Sequence, residues 1–186
     1  MSDQQVTVNS KQLLIFLGGG AVIVFLMLFF FLKSSGQEVT SKSPAGNTNQ
    51  PKVNNDGFLG DRGMAVEATD GGIYIDQVEV DDGNIHSFNY YSEKQKKTIY
   101  FFIIRASDGT YRAAANACEV CFGSKKGFSQ VGDLIRCDNC QVTYPKDKIA
   151  LEKGGCNPGP IDKDVKVENG QLVINLFDVE EVAYLF

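Results

Sequence analysis

The chain has 186 residues, 43% of them hydrophobic and 22% charged, with a net charge of −5, 19 Gly, 5 Pro, 5 Cys, 1 His and no Trp. This composition excludes a disordered chain, a collagen-like chain and a cysteine-dense scaffold that depends on disulfides. Residues 1–56 hold four basic and three acidic side chains, leaving fourteen and twenty for the rest. With no cluster of Lys and Arg, nucleic acid is excluded as a partner; Lys94, Lys96 and Lys97 read as a solvated loop.

In chain order, residues 1–12 form a short tail, and residues 13–32, LLIFLGGGAVIVFLMLFFFL, form an uncharged run bracketed by Lys11 and Lys33. A helix of about 20 residues spans the ~30 Å hydrocarbon core of a bilayer, so this run is expected to be a single transmembrane helix. It is longer than the apolar core of a cleaved signal peptide and lacks a small-residue cleavage site, which favours an uncleaved anchor. Lys11 on one side against Lys33 and Lys42 on the other does not set the orientation. A short tail before the span and a large domain after it place the domain outside, at the extracytoplasmic face of the cell membrane. Residues 33–56 are rich in Ser, Asn, Gly, Lys and Gln; they read as a flexible tether with a reach on the order of 25 Å.

Residues 57–186 are expected to fold as one compact, mainly antiparallel β domain. Strand signals run over residues 72–80, 86–91, 98–105, 111–114, 165–168 and 171–176, separated by Asp82-Gly83, Asp108-Gly109 and Asn169-Gly170. The last of these dipeptides is a strong hairpin signal, because both residues tolerate positive φ. Asp178-Val179-Glu180-Glu181 reads as a capping box that opens a short C-terminal helix. Asp81 and Asp82 fall in a turn signal, where a structural role outweighs general acid-base chemistry.

All five cysteines lie close together in sequence: Cys118-x-x-Cys121, fifteen residues, Cys137-x-x-Cys140, fifteen more, then Cys156 in Gly154-Gly155-Cys156-Asn157-Pro158. Two C-x2-C pairs at this spacing read as a cysteine-knuckle metal site, each tight turn presenting two sulfurs. Thiolates are soft ligands, so iron, an iron-sulfur cluster, zinc and copper(I) are all admissible. Cys156 is a sulfur in excess of four, and His86 is the single imidazole that can join it. The candidate metal ligands are therefore Cys118, Cys121, Cys137, Cys140, Cys156 and His86. Buried inert thiols, disulfides and a surface histidine are the competing structural readings.

At these residues the sequence resembles the FtrD-like membrane iron-sulfur protein family. The matching elements are Asp82-Gly83-Asn84-Ile85-His86-Ser87-Phe88, Ala117-Cys118-Glu119-Val120-Cys121, Gly127-Phe128-Ser129-Gln130, Cys137-Asp138-Asn139-Cys140 and Gly154-Gly155-Cys156-Asn157-Pro158. The resemblance implies an extracytoplasmic, membrane-associated metal-binding protein, accessory to iron uptake, with an iron permease or a membrane redox partner. The leading expectation is a protein that handles metal or transfers electrons rather than a catalyst. One alternative is a zinc-stapled interaction module. The other is a thiol-disulfide oxidoreductase using a C-x2-C pair, although Glu119 and Asp138 favour the neutral thiol and no βαβ setting is in view. One histidine cannot build a His-rich catalytic zinc site, and there is no phosphate-binding G-x-x-x-x-G-K-[ST] motif.

Overall fold

The computed structural model describes residues 56–186. The expected membrane helix, residues 13–32, and nearly all of the tether lie outside the described residues. Among the described residues no helix is long and apolar enough to cross a membrane.

The described chain forms eleven strands: β1 Met64–Val66, β2 Ala68–Thr69, β3 Gly72–Asp76, β4 His86–Ser92, β5 Lys97–Arg105, β6 Tyr111–Ala115, β7 Phe128–Val131, β8 Leu134–Cys137, β9 Thr143–Pro145, β10 Pro160–Glu168 and β11 Gln171–Asn175. Eight of them make one sheet in the order β1-β4-β5-β6-β10-β11-β3-β2, and β7-β8-β9 make a second. Every pairing is antiparallel except β1 with β4, which is parallel. The mainly β, antiparallel expectation is met.

The run Thr98-Ile99-Tyr100-Phe101-Phe102-Ile103-Ile104 has no polar alternation because β5 is buried on both faces. Ile99, Phe101 and Ile103 enter the main core with Ile73, Ile75, Phe88, Leu172 and Ile174. Phe102 and Ile104 point the other way, into a second core with Phe128, Ile135, Ile149, Cys118 and Cys137. β6 splits likewise, with Ala113 and Ala115 in the first core and Ala114 in the second. Ala114 packs there with Phe128 and Ile135 of the three-stranded sheet. Strands from both halves of the larger sheet share the first core, so that sheet curls around it. β10 bends between Pro160 and Val165 through two register shifts.

The turn chemistry follows the sequence at Asn169-Gly170, where φ is 52° and 82° and Glu168 pairs with Gln171 in a two-residue hairpin turn. Several details differ from expectation. β1 and β2 carried no strand signal, and β10 begins at Pro160 rather than at residue 165. The strand read over 72–80 stops at Asp76, and Gln77–Glu79 form a 3-10 turn. The helix α1 spans Leu176–Glu181 and is capped by Asn175, whose side chain accepts the Phe177 N–H at 2.9 Å. Asp178 lies within its first turn, where a carboxylate faces the positive end of the helix dipole. The sheet β7-β8-β9 carried no strand signal, because Ser129, Gln130 and Arg136 break its short apolar runs. Its hairpin turns at Gly132, with φ of 61°.

Candidate metal centre

Each C-x2-C pair sits where a strand of the domain ends or begins a tight turn. Cys118 is the third residue after β6, and its turn is closed by Phe122 N–H to Cys118 O at 3.0 Å. The Cys121 N–H donates to Cys118 Sγ at 3.2 Å, so the loop backbone solvates the sulfur before any metal does. The second turn repeats the design: Cys137 is the last residue of β8, and Gln141 N–H donates to Cys137 O at 2.8 Å. Gln141 takes φ of 65°, which reverses the chain so that Cys137 N–H reaches Val142 O at 2.9 Å. Asp138 inside this turn accepts from Ser129 Oγ at 2.6 Å, tying it to β7.

The five cysteines, all free thiols, converge. The Sγ atoms of Cys118, Cys121 and Cys156 lie within 4.8 Å of one another, and so do those of Cys121, Cys137 and Cys140. Cys121 belongs to both sets. A single tetrahedral thiolate site, with metal–sulfur bonds of ~2.3 Å, needs four sulfurs about 3.8 Å apart. Here the two pairs meet through Cys121, and Cys156 is a full participant. The physical reason is packing: Cys118 and Cys137, each 1% exposed, are held in the second core by Phe102, Phe128 and Ile135. Cys140 is exposed, while Cys121 and Cys156 are half-buried.

Electrostatics separate four of the thiols, Cys118, Cys137, Cys140 and Cys156. Burial pushes the Cys118 thiol up from its ordinary value and Cys137 up to about 12. The Val142 backbone N–H instead brings Cys140 down to about 7, helped by hydrogen bonds from neighbouring thiols. Cys156 is raised to about 12, chiefly because its S–H donates to the Cys140 sulfur. Cys140 thus ionises before Cys118, Cys137 and Cys156. Asn139, between Cys137 and Cys140, adds an Nδ2 donor to Cys121 Sγ at 3.4 Å.

His86 belongs to neither sulfur set. Its Nε2 is 2.7 Å from Asp82 Oδ1, and Asp82 also accepts from Asn84 N and Nδ2 at 2.9 and 2.7 Å. His86 first, and Asn84 after it, hold the Asp82 carboxyl well below the usual carboxylate range. Asp81 is engaged by the Tyr111 hydroxyl and by Arg105 Nε at 3.3 Å. The two aspartates organise the turn, as their position in the sequence indicated.

Sequence reasoning missed Asn116. It is fully buried two residues before the first knuckle. Its Oδ1 accepts the Phe128 N–H at 2.7 Å, and its Nδ2 donates to Asp61 O at 3.1 Å. It therefore joins the end of β6 to β7 and to the segment before β1. Gly127 passes so close that a Cβ there would stand 2.5 Å from Asn116 Oδ1, and its φ is +71°. A signal was present, since Asn116 is the single polar residue in Ala113-Ala114-Ala115-Asn116-Ala117.

No curated protein and no solved structure matches the chain. The model of the family described as "Membrane iron-sulfur containing protein FtrD-like" matches residues 80–186, a segment that covers more than half of the sequence and includes every cysteine and His86. The chain belongs to the FtrD-like family of membrane iron-sulfur proteins.

Proposed function

We propose that this protein is a membrane-anchored thiolate metal protein that handles iron or passes electrons at the extracytoplasmic face, accessory to iron uptake. The convergence of five cysteine sulfurs from three separate turns into one cluster carries this reading. Both sulfur sets are free of oxygen and nitrogen donors, and an all-sulfur donor set suits iron, iron-sulfur clusters, zinc and copper(I). The residues fit the family's iron-sulfur group: Cys118, Cys121, Cys137, Cys140 and Cys156 would hold it. When bound, such a group supplies one-electron chemistry. Cys118 and Cys137 hold their sulfurs away from water, the knuckle N–H groups stabilise thiolate charge, and Cys140 opens the site to solvent. The apolar run 13–32 and the tether after it support a domain leashed close to a membrane partner, an iron permease or a membrane redox protein.

The test is elemental analysis of the purified full chain, with absorption and EPR spectra before and after reduction. Iron retained with a reversible spectral change is the expected result. A reduced, metal-supplemented protein that binds no metal overturns the proposal, and redox-silent zinc with a specific partner protein replaces it with a structural module.

A further inference from the structure

We infer that Cys121 is a bridging ligand and that the site holds two soft metal ions rather than one. This rests on the thiolate metal reading above and assigns the roles of individual sulfurs within it. Cys121 Sγ is within 4.8 Å of Cys118 and Cys156 in one set and of Cys137 and Cys140 in the other. The two sets have that sulfur alone in common, and the thiol hydrogen bond from Cys156 to Cys140 is a further link between them. The unshared pairs come from different parts of the chain. Cys118 follows β6 and Cys156 lies in the loop before β10, whereas Cys137 and Cys140 belong to the turn that ends β8.

Charge favours two ions. With all five cysteines ligating as thiolates, five negative charges stand within a few ångströms of one another, partly out of water. One divalent cation leaves three of these uncompensated and two cations leave one, and mutual repulsion grows steeply as the local dielectric falls. Glu119 and Asp138, one inside each knuckle, add to the negative field. A shared thiolate also removes the need to draw the buried Cys118 and Cys137 around a single ion, which would disturb their packing against Phe102, Phe128 and Ile135. The Asn139 Nδ2 donor at 3.4 Å is aimed at the sulfur that both sets use.

The test is cobalt(II) titration of the reduced full-length chain in detergent, read by sulfur-to-cobalt charge-transfer absorption and by EPR. Saturation at two equivalents is expected, with an EPR intensity in the loaded protein well below that of two isolated ions, because the shared sulfur couples their spins. Cys156→Ala is expected to bind one equivalent at full EPR intensity, and Cys121→Ser to lose the coupling. Saturation of the unaltered chain at one equivalent, or at two equivalents with full intensity, overturns the bridge and leaves the metal reading standing. No cobalt uptake overturns both. The decisive measurements are on the unaltered chain, so they hold even where a variant fails to fold.

Discussion

Replacing Asn116 by Ala tests whether this buried amide fastens the metal-bearing sheet to the rest of the domain. The substitution leaves the Phe128 N–H and the Asp61 carbonyl without their partners at 2.7 and 3.1 Å. Each orphaned group costs about 1–3 kcal/mol; the donor is fully buried and the acceptor only partly so, which gives a loss of about 3 kcal/mol. For a domain of this size that corresponds to a fall in Tm of roughly 10 °C. Thermal unfolding of the reduced, metal-free full chain, followed by circular dichroism, measures it. Gly127→Ala supplies the second arm of a double-mutant cycle. Alone it suffers both a Cβ only 2.5 Å from Asn116 Oδ1 and an unfavourable φ of +71°. With Asn116 already shortened, only the backbone strain remains, so the two losses should sum to more than the double variant shows. A loss below about 1 kcal/mol for Asn116→Ala, or strict additivity in the cycle, would refute the reasoning.

Three other outcomes are expected. Alkylation of the metal-free chain should modify Cys140 well ahead of Cys118 and Cys137, and peptide mass spectrometry at a series of pH values should show its rate rising with pH and reaching half its plateau near the thiol's lowered value of about 7. His86→Gln should leave metal stoichiometry unchanged by elemental analysis and cost less than about 1 kcal/mol, since the exposed His86–Asp82 pair is what it removes. Stripping bound metal with a chelator should lower Tm by roughly 8 °C wherever free metal had stood near 100 times its Kd, because binding to the native state alone contributes about 2.7 kcal/mol under that condition; an unchanged Tm would mean that the ion does not staple the fold.

Most of the larger sheet was legible because β3, β4, β5 and β11 are rich in β-branched and aromatic residues, and its final hairpin because Asn169-Gly170 accepts positive φ; β1 and β2, three and two residues long, were too short to read. The smaller sheet was not. Phe128–Val131 and Leu134–Cys137 alternate polar and apolar residues too briefly to register as a pattern; they become strands because β5 and β6 give them an apolar surface to cover. The helix start was misplaced because Asn175 ends a strand and caps a helix at once. At the site, spacing foretold that the two cysteine pairs meet, and the motif around Cys156 marked it as a candidate. Spacing did not reveal that Cys121 stands between both sulfur sets, since that depends on how deeply the core draws in Cys118 and Cys137. His86 lay within a matching motif, yet its ring is held by a turn carboxylate four residues earlier. Local hydrogen bonding there is invisible to a count of possible ligands.

The matched family segment begins at residue 80, but the folding unit does not. β3 lies upstream of that boundary and pairs with β11 along five residues, from Asp76 opposite Gln171 to Gly72 opposite Asn175. It contributes Ile73 and Ile75, 0% and 3% exposed, to the main core. A fragment trimmed to the matched segment would leave β11 with a bare row of amide and carbonyl groups beside uncovered Leu172 and Ile174. An open, apolar rim of that kind templates strand addition from other molecules, so such a fragment would self-associate before any ion reached its sulfurs.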